Sequence, residues 1–259
     1  MKLLIMLGFI TFSSFASAQV KLYTIDCGRV FAKDFGLFAD TGDFDKVAVE
    51  APSPCFLITH PKGNFMWDMG INKDSDAGFG KLVGSPSLVD NLKKINLTPK
   101  DIGLISFSHL HLDHIGNAPL FSGSTWILNP EEYKHATNLM GEADLIKGYK
   151  KAKKINITGD HDVFGDGTVR IIKAPGHSHA HQVLLLTLKS GKVILSGDLY
   201  HQRLSREKRL VPGFNPSRAD TLASMERIEG IIRFHKARLI IQHDNQDIKS
   251  LPVFPNYLE

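Results

Sequence analysis

The stretch Ile105-Ser106-Phe107-Ser108-His109-Leu110-His111-Leu112-Asp113-His114 runs from a short apolar strand straight into four side chains that can bind metal. Ile102, Leu104, Ile105 and Phe107 mix β-branched, aliphatic and aromatic side chains, as a buried strand does. Gly116 and Asn117 follow, so the polar residues fall on a tight turn past the strand's end. Imidazole nitrogens and a carboxylate oxygen suit a borderline divalent ion such as Zn²⁺. His109 and His111 lie two apart and share a side on extended backbone, whereas Asp113 and His114 point elsewhere. One ion cannot easily use all four, but two neighbouring ions can. Among twelve histidines some clustering is expected. Three of them with an aspartate inside six positions, directly after a buried strand, make a metal site the better reading.

Three later strand ends repeat the design. Ala174-Pro175-Gly176-His177 follows a strand expected over 169–173, Ser196-Gly197-Asp198 follows one over 192–196, and His243 closes a last strand over 238–242. Side chains at the carboxyl ends of different strands can converge on one site. Asp198 after Gly197, taken alone, reads as a turn former. Together the seven residues are five His and two Asp, enough for two ions with one carboxylate bridging them.

Around these ends the pattern is that of an α/β protein. Val20–Asp26 alternates as a strand that Gly28 breaks. Residues 55–59 and 64–67 flank Pro61-Lys62-Gly63 as a hairpin, and Asp68 stands at the second strand's tip. Residues 31–50 carry Phe31, Phe35, Phe38 and Phe44 without a clean period. That segment is either a lid of exposed aromatics over an apolar ligand or a loop whose Phe side chains tuck into the core. A helix is expected near 85–95, capped by Ser85 or Ser87, and another begins at Pro130-Glu131-Glu132. Lys150-Lys151-Ala152-Lys153-Lys154 reads as a solvated helix face. Residues 183–188 and 192–196 form a hairpin, and 219–234 a helix with Leu222, Met225, Ile228 and Ile232 on one side. Strands, helices, strands and helices in that order imply two sheets with helices outside.

The N-terminus reads separately. One Lys, an apolar run of about ten residues and a small-x-small ending at Ala16-Ser17-Ala18 make residues 1–18 a secretory signal peptide, too short in its apolar part to span a membrane. Residues 19–259 then form a single domain, exported to a periplasm or the medium. A formal charge of +4, or +3 without Lys2, points to neither nucleic acid nor an anionic membrane as partner. Cys27 and Cys55, the two cysteines, sit on strands expected to be neighbours; an oxidising compartment would let them pair, and two buried thiols are the alternative.

The pattern His109-x-His111-x-Asp113-His114, then His177, Asp198 and His243, resembles the metallo-β-lactamase-fold hydrolases. The resemblance implies an αββα sandwich with a dinuclear site at one edge and two Zn²⁺ ions per chain. By position it gives His109, His111 and His177 to the first ion, Asp113, His114 and His243 to the second, and Asp198 to both. Asp rather than Cys at 198 sets the chain apart from the antibiotic-degrading β-lactamases. A closer similarity is to the N-acyl-homoserine lactonases, through Ala174-Pro175-Gly176-His177-Ser178, His181-Gln182, Pro212-Gly213-Phe214-Asn215-Pro216, His243-Asp244 and Pro252-Val253-Phe254-Pro255. Where those enzymes have Pro-Gly, this chain has His179-Ala180. Where they often carry a carbonyl-polarising Tyr, three residues after the bridging Asp, it has His201, with Tyr200 one place earlier. The similarity implies metal-assisted opening of an acyl lactone, with His201 or Tyr200 polarising the carbonyl and Asp113 relaying a proton to the leaving alkoxide. Phe31, Phe35 and Phe38 are then candidates for the acyl groove. Other dinuclear ester or thioester hydrolases of glyoxalase II type share these ligands, and a non-catalytic metal-binding protein is the reading from a different class.

Overall fold

A computed structural model describes residues 19–85, 87–136 and 142–259; the signal peptide expected over 1–18 lies outside them. Eight strands form the first sheet: β1 (Lys21–Ala32), β2 (Val49–His60), β3 (Gly63–Met69), β4 (Ser75–Asp76), β5 (Gly80–Val83), β6 (Ile102–Ser106), β7 (Thr125–Leu128) and β8 (Lys153–Asn156). Their spatial order is β4-β5-β1-β2-β3-β6-β7-β8. The second sheet is β13-β12-β11-β10-β9, built from β9 (His161–Asp162), β10 (Val169–Lys173), β11 (Gln182–Leu188), β12 (Gly191–Leu195) and β13 (Arg238–Ile240). The helices are α1 (Leu88–Lys93), α2 (Leu112–Ile115), α3 (Pro130–Ala136), α4 (Glu142–Ile146), α5 (Arg203–Lys208), α6 (Arg218–His235) and α7 (Asn245–Lys249).

Strand alternation explains the layers. In β2, Phe56 and Ile58 face the second sheet, packing with Trp67, Ile171, Leu184 and Leu186. Their neighbours Cys55 and Leu57 face the other way, towards Leu88 and Leu92 of α1. In β11, Leu184 and Leu186 point inward while Val183 and Leu185 meet Met225 and Ile228 of α6. Both faces of each central strand are apolar, so each sheet has the other on one side and helices on the other. That is the expected αββα sandwich.

Two local expectations change, and one open alternative closes. Gly28 does not end β1 but sits in a bulge between Asp26 and Arg29, with φ +131° and room for no Cβ, since one would lie 2.7 Å from the Val83 carbonyl oxygen. The bulge brings Cys27 to Cys55 of β2 at a Cα separation of 5.6 Å, and the two form a disulfide. The basic run is not a helix face. A 3-10 turn over Lys147–Lys150 gives way to β8, whose lysines are exposed on the strand at the end of the described sheet, where charge discourages further strand addition.

Candidate metal centre

Strand direction places the donors. β11 runs antiparallel to both β10 and β12, and β13 runs parallel to β12, so β10, β12 and β13 all end at the same edge. His177, Asp198 and His243 follow those three ends. In the first sheet β3 and β6 are parallel, which sets Asp68 at the tip of β3 beside the turn carrying His109 and His111. Asp113 and His114 lie in the single turn of α2.

The structure brings all seven sequence-predicted donors together in two groups: His109, His111, His177 and Asp198, and next to them Asp113, His114 and His243. His109 Nε2 is 2.9 Å from His111 Nδ1 and 3.1 Å from His177 Nε2, and His177 Nε2 is 3.2 Å from His111 Nδ1. Asp198 Oδ2 lies 3.3 Å from His177 and 3.7 Å from His109. Its other oxygen, Oδ1, faces the second group, 3.2 Å from His114 Nε2 and 3.0 Å from His243 Nε2. Asp113 Oδ2 is 3.7 Å from His114 and 3.5 Å from His243.

Whether these groups suit a metal is decided by where their protons sit. His243 Nδ1 donates to the Pro52 carbonyl at 2.7 Å and His114 Nδ1 to Asp68 Oδ2 at 3.1 Å. His177 Nδ1 donates to Asn215 Oδ1 at 3.1 Å; that amide is oriented by its NH₂ bond to Thr221, whose own hydroxyl hydrogen goes to the Ser217 carbonyl. Carbonyl and carboxylate oxygens only accept, so each of these rings in its neutral form turns an Nε2 lone pair into the centre. Asp198 Oδ1 is buried with no hydrogen-bond partner. Tetrahedral coordination at about 2.0–2.1 Å spaces ligand atoms roughly 3.3 Å apart, which the 2.9–3.7 Å separations bracket. The set fits a divalent metal site.

Burial holds His109 and His177 well below the ordinary imidazole range, and therefore neutral. Burial also pulls on His114 and His243, but Asp198 and Asp113 outweigh it and both are raised. Asp198 stays ionised: burial pushes its carboxyl up, and His243, His114 and His201 together hold it well below the usual range.

Residues behind the donors hold them in place. Ser108 N donates to Asp68 Oδ1 at 2.6 Å. His181 Nδ1 donates to the Ala174 carbonyl and its Nε2 accepts the Asp198 N–H at 3.0 Å; burial pushes His181 down to about 4, keeping that acceptor free. Gly197 has φ +48°, and a Cβ there would lie 2.5 Å from Ser108 Cβ and 2.7 Å from His181 Nε2. Glu132, buried on α3, accepts from Leu110 N, Ser178 Oγ and Ala180 N at 3.2, 2.8 and 2.9 Å, tying the His109–His111 turn to the His177 loop. None of Asp68, His181 or Glu132 has a part in the centre on the sequence alone, where Glu132 reads as a helix start and His181 only as a point of family similarity. The available signal was Asp68 at the tip of a strand next to the metal-bearing one.

Over the donors opens a cavity of about 590 Å³. Phe35 and Phe38 stack at 3.9 Å in its wall, and Phe38 meets Phe79 and Phe214 edge-on at 5.3 Å. Leu37 and Phe214 stand exposed at the rim. Phe31, expected with them, is a correction. β1 continues to Ala32, so Val30 points into the cavity and Phe31 out of it, 39% exposed in a separate surface groove. Tyr200 is a second correction: its hydroxyl donates to Glu229 at 3.1 Å and its ring packs under α6, outside the cavity. His201 does line the cavity, with Nε2 3.0 Å from Asp198 Oδ2 but free of any hydrogen bond, and its ring meets Phe38 edge-on at 4.8 Å. His179 lines it too, stacked on His135 at 3.5 Å.

A sequence profile of the Metallo-beta-lactamase superfamily matches residues 48–243. The N-acyl homoserine lactonase AttM of Rhizobium radiobacter is 31% identical over 248 residues, covering 87% of this chain and 94% of that protein. An N-acyl homoserine lactonase of Bacillus thuringiensis is 29% identical over 256 residues, covering 92% and 98%. Among solved structures, an N-acyl homoserine lactone hydrolase with the product N-hexanoyl-L-homoserine bound at its catalytic metal center matches with a TM-score of 0.79 and 26% identity, over 92% of this chain and 98% of that one. Fold, donor set and near end-to-end relatives agree, and the chain belongs to the metallo-β-lactamase superfamily, as a hydrolase of the N-acyl-homoserine-lactonase-like group.

Proposed function

We propose that this protein is an exported dinuclear-zinc lactonase that opens the ring of N-acyl-homoserine lactones. The observation that carries the reading is Asp198, which turns one oxygen to each of two donor groups at the floor of an apolar cavity. His109, His111 and His177 would hold one ion, Asp113, His114 and His243 the other, and Asp198 both. Bound there, a pair of divalent ions supplies Lewis acidity and water acidified towards pH 7.

The remaining steps fall to this chain's own side chains. His201, which lines the cavity with Nε2 beside Asp198 Oδ2, donates through that nitrogen to the lactone carbonyl oxygen. Asp113, whose side chain is 18% exposed against 6% for Asp198, carries the proton to the departing ring oxygen. Phe35, Phe38, Phe79 and Phe214 hold the acyl chain and keep water from it. The names of the relatives support the choice of substrate. Export is supported by the N-terminal sequence and by the Cys27–Cys55 disulfide, which an oxidising compartment maintains. Among the described residues no helix is long and apolar enough to cross a membrane.

The test is to incubate the zinc-loaded protein with short- and long-chain N-acyl-homoserine lactones and follow mass. Gain of one water is expected, lost together with bound metal in Asp198→Ala. Loss of the acyl chain, or activity that survives in metal-stripped Asp198→Ala, overturns the reading.

A further inference from the structure

The cavity holds one carboxyl group that neither the donor set nor its supports use. Glu142 opens α4, is 2% exposed and lines the cavity together with Asp113. Among the described residues its Oε2 has no hydrogen-bond partner. Glu132, equally buried in the same wall, shows the contrast: both of its oxygens are taken by the protein's own donors. A buried carboxylate oxygen left bare is costly, and one that faces a ligand cavity is satisfied by a donor arriving with the ligand. α4 packs against α2, and the Asp113 charge is felt at Glu142, so Glu142 lies on the metal-donor side of the cavity. The aromatic side belongs to Phe35, Phe38 and Phe79.

Resting on the lactonase reading, we infer that Glu142 is a specificity-determining residue whose Oε2 accepts a hydrogen bond from an N–H on the ring carbon next to the scissile carbonyl. The amide of an N-acyl amino lactone carries that donor. γ-Decalactone has the same five-membered lactone ring and an apolar chain, carried on the ring carbon beside the ring oxygen, but no N–H. Glu142 therefore separates acylamino lactones from alkyl lactones without touching the chemistry. Burial, with a smaller push from Asp113, raises the Glu142 carboxyl; the substrate's N–H stabilises the ionised form.

The experiment measures kcat/KM of the zinc-loaded enzyme and of Glu142→Ala on N-hexanoyl-homoserine lactone and on γ-decalactone, with metal content and thermal unfolding read on the same samples. The expected result is a loss of roughly 10- to 100-fold on the acylamino lactone, the range of a charge-assisted hydrogen bond, and under about 3-fold on γ-decalactone. Glu142→Gln keeps one acceptor oxygen of the same shape. It is expected to stay within about 5-fold of wild type on the acylamino lactone; Glu142→Met, of similar length and without the acceptor, carries the comparison if the alanine variant does not fold. Equal losses on both lactones, or no loss on either, overturn the inference. Wild-type enzyme that opens γ-decalactone but not the acylamino lactone overturns it while leaving lactonase chemistry standing. Wild-type enzyme inactive on both overturns the lactonase reading itself.

Discussion

Asp68→Asn isolates what the residues behind the donors contribute. The wild-type carboxylate accepts twice, from Ser108 N at 2.6 Å through Oδ1 and from His114 Nδ1 at 3.1 Å through Oδ2. Asparagine has one acceptor oxygen and so keeps one of these bonds. The shorter bond, to a buried backbone N–H, retains the oxygen, which turns the NH₂ towards His114. Nδ1 then becomes an acceptor and the ring proton moves to Nε2, the atom 3.2 Å from Asp198 Oδ1 and aimed at the second donor group. The backbone is not the cause, because φ at residue 68 is +49° and Asn tolerates that region as well as Asp does. Losing such a support weakens metal binding by about 10–100-fold, or roughly 1.4–2.7 kcal/mol. With two ions bound as proposed, chelator titration with metal counted by plasma mass spectrometry should show one equivalent released at lower chelator concentration, and the equivalent assigned to His109, His111 and His177 staying put. Two equivalents released together at the wild-type midpoint would refute the tautomer argument.

Two further outcomes follow from groups away from the centre. The Cys27–Cys55 disulfide closes a loop of sequence separation 28, worth roughly 3–4 kcal/mol by chain entropy; reduction should lower the denaturant midpoint accordingly, and an unchanged midpoint rejects that weight. His60, stacked on Phe164 at 3.9 Å and 3.1 Å from Asp166, has its pKa lowered by burial despite that carboxylate. Its neutral form therefore contributes stability that is complete above the unfolded value of about 6.5 and declines as pH falls below it, at about 1.4 kcal/mol per unit of depression. His60→Gln should flatten the fall in unfolding midpoint between about pH 7 and 5, and an unaltered slope counts against it.

How far the sequence reveals this site depends on strand parity. His109-x-His111-x-Asp113-His114 is legible because the spacing alone divides the donors into two sets, and the layers are legible because β2 and β11 are apolar on both faces. Tyr200 and His201 are another case. Residue 200 is extended, with φ −137° and ψ 130°, so consecutive side chains point to opposite sides, and one of the pair faces the cavity while the other faces α6. Val30 and Phe31 divide the same way. Choosing between such neighbours requires knowing where β1 ends and how the chain leaves β12, and both depend on long-range pairing. The β1 bulge at Gly28 adds one residue and resets the parity for everything after it.

The same dependence explains why the donors are recognisable while their selectivity is not. Each Nε2 lone pair is fixed by an acceptor far away in sequence: Pro52 for His243, Asp68 for His114, Asn215 for His177. Those partners come from β2, β3 and the loop before α6, so the centre is assembled only once both sheets have packed. The metal-binding side chains carry a chemistry that any hydrolase with this donor set shares, and their spacing reports it. Discrimination between substrates needs groups that the metal does not use. On the proposed reading those are Glu142 on one side of the cavity and the stacked Phe35 and Phe38 on the other. Neither belongs to a motif, because an apolar wall can be built from many segments and one acceptor can be supplied from many positions. On that reading substrate choice is set by residues whose positions, unlike those of the donors, the pattern of the chain does not constrain.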